Sequence, residues 1–353
     1  MTQAAPIEAA AATHASPLAF RPVPGRDWVR ADLDARRAEI VRKAPDALND
    51  EIAAMVARCR RQGLTLDTVE TEDTLLPAFA AMVPAIRAEL DEGSGVVVLA
   101  GIAVEELDDD AAGIVAYAIG NHVGRILRQG IRKDRRIFTV ANTGDTSDPI
   151  RIGATARKSA MHSDNACLER RAADYLGLFC VENAAAGGDS TLVSAQTLYG
   201  AVLAERPDLL PLLHREWHFQ PPALHVWPEG PVTITKPIFD VEDGVLHVHY
   251  ARVMIENAAA RRGVPLTAEE TEALDWFDAL LERPDIVWTH PLRPGEILLT
   301  NNLATLHGRL AFTDDGTKRR VLKRIWMRSR SVGPRDDPAL LALDPGRYGS
   351  QVS

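Results

Sequence analysis

The 353-residue sequence has no apolar run approaching the roughly 20 residues that cross a bilayer, so no membrane-spanning helix is expected. It has no cationic excess either. Forty Lys and Arg against 49 Asp and Glu leave a formal charge of −9, which argues against a general nucleic-acid binder, although one local patch could still be basic. Cysteine is scarce. Cys59, Cys167 and Cys180 form no C-x-x-C pair and are odd in number, the pattern of buried or incidental thiols in a reducing compartment. The Ala-rich opening "MTQAAPIEAAAATHASPLAF" lacks a basic n-region and is interrupted by Glu8 and His14. It reads as a flexible tail over 1–22 rather than a signal peptide, and the protein as cytoplasmic.

What the chain does have is enough apolar residue, 46%, to bury a substantial core. "ADLDARRAEIVRKAPDALNDEIAAMVARCRRQG" predicts helices broken near Pro45 and ended by Gly63, and "LLPAFAAMVPAIRAELDEGSG" a further helical segment. "GVVVLAGI" is a short β-branched run, a buried strand, and "DDDAAGIVAYAIGNHVG" returns to helix with acidic residues where the macrodipole favours them. Beyond residue 125 short strand candidates dominate: "DYLGLFCV", "STLVSA", "VTITKPIF", "GVLHVHYARV", "DIVWTH", "EILLTNN" and "RRVLKRIWMR". Gly- and Pro-rich turns separate them, which points to a β-sandwich or barrel. Two helical stretches interrupt: "SAQTLYGAVLAERPDLLPLLHR", and "LTAEETEALDWFDALLERPD" with a Thr267/Glu270 capping box and a stop at Pro284. Helices gathered on one β core make a single domain the preferred organisation. The second helical stretch is a candidate lid or pocket wall, with Trp276 and Phe277 too far apart for one narrow apolar stripe; the simpler reading is that both are buried against the barrel.

The chemistry concentrates in "SAMHSDNACL". At a strand end, His162 and Asp164, two apart, point to one side and can converge on an ion. "LRPGEILLTNNLATLHGRLAF" offers His307 just beyond a strand that follows a Pro-Gly turn. Two histidines and one carboxylate on one face of an ion leave three positions open, the pattern of non-haem Fe(II) oxygenases. Alone, H-x-D with a later His is a weak signal. "KRRVLKRIWMRS" adds to it by alternation, with Arg320, Leu322, Arg324 and Trp326 on one side. Cationic residues on the wet face of a surface strand explain that pattern equally well. A site that consumes a dicarboxylate gives the arginine a further reason, because a guanidinium grips a carboxylate with two parallel hydrogen bonds.

The set "MHSDN", "AAAGGDSTLVSA", "RPGEILLTNNLATLHGR" and "DGTKRRVLKR", in that order from about Val96 to Arg328, resembles the taurine dioxygenase (TauD/TfdA) family of Fe(II)/2-oxoglutarate-dependent oxygenases, in its clavaminate-synthase-like branch. The resemblance implies an α+β, mainly β fold: a double-stranded β-helix, or jelly roll, with flanking and inserted helices. The oxygenase domain would span 23–335, with a helical insertion near 266–283 and a C-terminal extension over 336–353. It implies His162, Asp164 and His307 as catalytic iron ligands and Arg320 as partner of the far carboxylate of 2-oxoglutarate. Ser190 falls where the family has a hydroxyl for the same carboxylate, with Thr191 the neighbouring candidate. Arg324 stands where relatives contact cosubstrate or an anionic substrate. The implied cofactor is Fe(II), and the cosubstrates are 2-oxoglutarate and O₂. The neutral imidazoles tolerate a change of oxidation state, while Asp164 and the cosubstrate carboxylate offset the metal charge. The presence of Asp164 favours hydroxylation, or a related C–H oxidation, over halogenation. Lys158 and Met161 depart from the family's usual residues before the metal motif, so taurine specificity is not carried over.

Other residues have competing readings. His247 and His249 in "HVHY" share a strand face but lack further ligands at metal spacing, and packing or hydrogen bonding is the simpler role. The basic segment 125–136 is either a solvated loop face or a recognition surface for an anionic substrate, and Arg252 falls where relatives border the active site. The expected partner is a small polar substrate, anionic or amino-acid-like, with no nucleic acid and no membrane; a homo-oligomer is allowed. Two other classes stay open at this point: a jelly-roll metal enzyme without a 2-oxo acid, such as a hydrolase or isomerase, and a non-catalytic binding protein.

Overall fold

The computed structural model describes residues 19–129, 135–144, 154–164, 166, 173–220 and 233–329. The N-terminal part is helical, with α1 (Arg30–Ala35), α2 (Arg37–Ile40), α3 (Asp46–Gln62), α4 (Pro77–Ala80), α5 (Val83–Glu92) and α6 (Asp109–Val123). Two strands lie among them, β1 (Val41–Lys43) and β2 (Val96–Ala100). There follow β3 (Arg125–Ile126), β4 (Phe138–Ala141), β5 (Ser159–His162), β6 (Tyr175–Glu182), β7 (Ala186–Gly187) and β8 (Ser190–Ser194). Helices α7 (Ala195–Glu205) and α8 (Leu210–His214) lead to β9 (Glu216–Phe219), β10 (Ile234–Pro237), β11 (Phe239–Glu242) and β12 (Val245–Val248). The chain then runs through α9 (Arg252–Arg262), α10 (Ala268–Leu280), β13 (Trp288–His290) and β14 (Ile297–Asn301). It closes with β15 (Thr305–Arg309), β16 (Phe312–Thr313) and β17 (Val321–Arg328).

Two sheets face each other, as the jelly-roll expectation requires. The major, seven-stranded sheet runs β1-β2-β14-β6-β17-β3, with β4 also on β17; the minor sheet runs β13-β8-β15-β5. Apart from the parallel β1–β2 pair, the strands of both sheets pair antiparallel. The run "GVVVLA" is apolar throughout because β2 is covered on both faces. Val97 and Leu99 enter the core under α3, α5 and α6, whereas Val96 and Val98 enter the sandwich interior with Leu192, Trp288 and Leu322. The outer face of the minor sheet supplies Met161, Val193 and Leu306 to a third core, closed by α7, α8 and α10.

Local signals behave as their chemistry dictates. Gly63 ends α3 in the left-handed region at φ 66°, and the Asp108 carboxylate accepts from Ala111 N to cap α6. The Thr267/Glu270 capping box opens α10. Three details differ from expectation. The "GVLHVHYARV" strand stops at Val248, because the Ala-rich "ARVMIENAAARRG" winds into α9 and ends at Gly263 in the left-handed region. His307 lies beyond β14 as expected but inside a strand of its own, β15, since Asn301 turns the chain by accepting from Leu303 N and Ala304 N. The helix α10 packs on the outside of the minor sheet: Phe277 is fully buried edge-on to Phe239 and Tyr250, and Trp276 lies half-buried against the same core. Both aromatics therefore serve packing.

Among the described residues no helix is long and apolar enough to cross a membrane. Cys59 and Cys180 are buried and unpaired with each other, while Cys167 lies outside the described residues. So do residues 1–18 and 330–353. Residues 20 and 21 are docked: Phe20 meets Tyr199 edge-on at 5.4 Å, and Arg21 N donates to Gly244 O at 2.7 Å.

Candidate active site

His162 closes β5 and His307 sits in the middle of β15, and the two are cross-strand partners. Their neighbours Met161 and Leu306 are buried in the outer core, so alternation turns both imidazoles inward. The rings lie 4.3 Å apart between centroids. Their Nε2 atoms converge on one oxygen: His162 Nε2 is 3.5 Å and His307 Nε2 3.9 Å from Asp164 Oδ1. These three are a group of His and carboxylate donors, among the described residues, close enough together to share one ion.

The loop carrying Asp164 is fixed by its backbone. Asp164 N donates to Asn302 Oδ1 at 2.9 Å, and Asn302 Nδ2 donates to Asp164 O at 3.0 Å and to Ala173 O at 2.9 Å. Ser163 N donates to Tyr250 O at 2.9 Å, and Tyr250 N to Ser163 Oγ at 3.1 Å. The other carboxylate oxygen has its own partners. Trp326 Nε1 donates to Asp164 Oδ2 at 2.7 Å, and Arg324 Nη1 stands 3.4 Å from the same atom.

The donor set suits Fe(II). Burial alone would raise the Asp164 pKa, but Arg324 and the two imidazoles outweigh it and hold the carboxyl well below the usual range. Burial, His162 and Arg324 push His307 down to about 3 against the pull of Asp164, so its imidazole is neutral. His162 Nδ1 lies 2.8 Å from Ala160 O, and the tautomer that donates there leaves the Nε2 lone pair aimed inward. Two imidazole nitrogens and one ionised oxygen on one side of a point match the facial triad.

Arg320 precedes β17 on the opposite sheet and is buried, 4% exposed. Its backbone N donates to Asp314 Oδ1 at 2.9 Å, and its guanidinium lies 5.5 Å from the Phe312 ring centre. The guanidinium makes no hydrogen bond among the described residues. Burial lowers its pKa, opposed by Cys180, Asp314 and Asp189. Gly188 makes room for it: φ is +84°, and a Cβ there would lie 3.0 Å from Arg320 Cδ and Nε. This is the physical reason for the second glycine of "AAAGGDS"; the first, Gly187, has φ +72° and a Cβ there would run into Ala311 O.

The β8–β15 register separates Ser190 from Thr191. Ser190 pairs with Arg309 and Leu192 with His307, so Ser190 shares the inward face with the histidines. Thr191 points outward, its Oγ1 3.6 Å from Met161 Sδ, and it lines a cavity of about 180 Å³ with Lys158, Met161 and Leu281 that lies away from the triad. Arg324 shares the inward face, where the protein already gives it partners. Its Nε donates to Gln129 Oε1 at 3.0 Å, its guanidinium stacks 4.2 Å from the Trp326 ring centre, and it faces Asp164.

Four residues at the site had no role in the sequence pattern: Asn302, Trp326, Gln129 and Arg309. Arg309 is buried, donates through Nη2 to Thr155 O at 3.0 Å and to Arg157 O, and lies 4.6 Å from the Phe312 ring centre. The alternation in "RRVLKRIWMR" does place Trp326 inward. Nothing in a linear sequence says that its N–H meets Asp164.

The remaining candidates lie elsewhere. Arg252 bridges α9 to α10 through Asp275 and Asp278 at 2.8 and 3.1 Å, and Lys158 pairs with Glu282. In the basic segment Arg136 bonds Val69 O and Glu70, while residues 130–134 lie outside the described residues. His247 approaches Glu242 Oε2 at 3.8 Å. His249 is buried with Nδ1 lacking a hydrogen bond, and burial lowers its pKa well below the usual value, aided by Lys236 and His247.

Comparison with known proteins agrees with this geometry. FR-33289 synthase of Streptomyces rubellomurinus is 28% identical over 322 residues, covering 87% of this chain and 90% of that one. Uridine-5′-phosphate dioxygenase of a Streptomyces species is 26% identical over 201 residues, covering 55% of this chain and 69% of that one. The fold is shared with asparagine oxygenase solved with Fe(II), 3-hydroxyasparagine and succinate, at TM-score 0.65, 20% identity, and coverage of 82% of this chain and 93% of that one. It is shared also with the non-haem iron oxygenase OrfP solved with Fe and α-ketoglutaric acid, at TM-score 0.60, 15% identity, and coverage of 82% and 93%. Residues 61–326 match the family described as taurine catabolism dioxygenase TauD, TfdA family. The chain belongs to that family, and is an Fe(II)- and 2-oxoglutarate-dependent dioxygenase.

Proposed function

We propose that His162, Asp164 and His307 hold the iron, that Arg320 and Ser190 receive the far carboxylate of 2-oxoglutarate, and that the enzyme hydroxylates a small anionic metabolite. The observation that carries the substrate class is electrostatic. Among the described residues, the triad's own carboxylate, Asp164, is already matched by Arg324, and the buried guanidinium of Arg320 adds a further positive charge, opposed by Asp189 and Asp314. Bound Fe(II) adds more, which favours anionic ligands there. The uridine-5′-phosphate dioxygenase relative carries a phosphate in its substrate name, which supports this reading.

With iron bound, the site supplies the O₂ chemistry that oxidises 2-oxoglutarate to succinate and CO₂, one oxygen atom entering succinate and the other the substrate C–H bond. This chain's residues do the rest. Asn302 fixes the loop, the two imidazoles and Asp164 hold the metal, and Arg320 orients the cosubstrate. The test is a panel of organophosphates, phosphonates, sulfonates, acidic amino acids, neutral amino acids and amines, scored by substrate-stimulated succinate formation and a product that gains one oxygen. Anionic members should stimulate. Stimulation confined to neutral or cationic compounds would reject the anionic reading and leave the iron reading intact.

A further inference from the structure

The two oxygens of Asp164 are treated differently by the protein. Oδ1 is the atom on which His162 Nε2 and His307 Nε2 converge, at 3.5 and 3.9 Å. Oδ2 faces away from them and accepts from Trp326 Nε1 at 2.7 Å, with Arg324 Nη1 at 3.4 Å. These partners are themselves held. The Arg324 guanidinium lies between aromatic rings, 4.2 Å from the centre of Trp326 and 5.0 Å from that of Phe138. Gln129 completes the brace, accepting from Arg324 Nε at 3.0 Å and donating through Nε2 to Arg324 O at 2.8 Å. Asp164 is 6% exposed, so in this setting an indole N–H and a guanidinium compete strongly with any other partner for Oδ2.

We propose that Trp326, braced by Arg324 and Gln129, is a positioning residue that holds Asp164 as a one-oxygen ligand. A carboxylate free to turn can offer both oxygens to a cation and so occupy two neighbouring positions. With Oδ2 tied to the opposite sheet, only Oδ1 is available to the ion, and the three positions that a chelating 2-oxo acid and O₂ require stay open. The clamp also draws electron density from the carboxylate. Its loss should therefore help iron binding, or leave it unchanged, while it harms cosubstrate binding. A residue that merely supports the fold would harm both.

The inference rests on the triad holding iron, and a failure of that premise shows separately, as wild-type protein that takes up no Fe(II). The variant is Trp326→Phe, which keeps a ring against Arg324 and removes the N–H. Fe(II) affinity is measured by competition with a chelator, and 2-oxoglutarate affinity by anaerobic titration of the visible charge-transfer band. The expected result is a 2-oxoglutarate Kd raised about ten- to a hundred-fold, the range for one hydrogen bond to a charged group. Fe(II) Kd should be unchanged or tighter. Trp326→His, which restores a ring N–H, should recover part of the lost affinity. Should the phenylalanine variant not fold, Arg324→Gln carries the same test with a smaller shift in the same direction. Unchanged 2-oxoglutarate affinity and an unaltered band would overturn the proposal, and so would a parallel loss of Fe(II) and 2-oxoglutarate.

Discussion

The two sheets bring opposite chemistry to the same end of the sandwich. The minor sheet and the loop leaving it carry His162, Asp164, His307 and the hydroxyl of Ser190; the major sheet brings Arg324 and Trp326 on β17, with Arg320 immediately before it. The contrast along that segment is more instructive still. Arg320 and Arg324 lie four residues apart and both face inward, yet their surroundings differ. Arg324 is bonded to Gln129, stacked on Trp326 and paired with Asp164. Arg320 is buried beside the Phe312 ring, with Asp189 and Asp314 within electrostatic reach but no side-chain hydrogen bond among the described residues. A buried guanidinium in that condition is costly unless a ligand completes it. One arginine serves the protein's own carboxylate; the other, we propose, receives the carboxylate of 2-oxoglutarate.

The largest test of the division between sheets is removal of the donors. His162→Ala, Asp164→Ala and His307→Ala should each abolish product formation, with iron content measured alongside. Near-wild-type turnover in any one of them removes that residue from the metal. Asp164→Gly is subtler: it should lose hydroxylation while two histidines and the chelating cosubstrate retain some Fe(II).

Next in size is the contrast between the arginines. Loss of one partner from a buried charge pair costs about 2–5 kcal/mol. At about 1.4 kcal/mol per decade, Arg320→Ala should weaken 2-oxoglutarate roughly thirty- to several-thousand-fold, with Fe(II) binding little changed. Arg320→Lys should recover only part, because an ammonium cannot reproduce the paired geometry. Arg324→Ala should weaken 2-oxoglutarate less, and anaerobic titration of both variants ranks them. The reverse order would break the comparison.

Smaller effects sharpen it. Gly188→Ala places a side chain at φ +84° and against Arg320, so it should lower stability by about 1–3 kcal/mol and weaken 2-oxoglutarate, read by thermal melting and titration. Ser190→Ala should weaken 2-oxoglutarate by the worth of one hydrogen bond, about 0.5–1.5 kcal/mol, whereas Thr191→Val, on the other face, should leave it unchanged. Equal effects at the two positions would show that the register does not decide which hydroxyl serves the cosubstrate.

Much of this fold was legible because its signals are local. Short apolar runs between Gly- and Pro-rich turns located β8 and β14, alternation located β17, and start and stop residues located α3 and α10. The short motif "MHSDN" named two donors, and the order of later motifs supplied the third. What escaped depends on contacts between distant segments. His307 needed the Asn301 turn to enter a strand of its own, and Arg324 needed Gln129, 195 positions earlier, to turn it toward Asp164. Trp326 reads as a core aromatic until the opposite sheet brings Asp164 against its N–H. The choice between Ser190 and Thr191 likewise required the β8–β15 register, because one step along a strand reverses the face.

The central claim is that one end of the sandwich binds iron through the minor sheet and 2-oxoglutarate through Arg320 of the major sheet. Anaerobic titration of Fe(II) and then 2-oxoglutarate, followed in the visible range, tests it most directly. Wild-type protein should show a weak charge-transfer band only when both are present. His307→Ala should lose the band, and Arg320→Ala should regain it only at far higher 2-oxoglutarate. A band of wild-type strength and midpoint in both variants, or none in the wild type, would contradict the account.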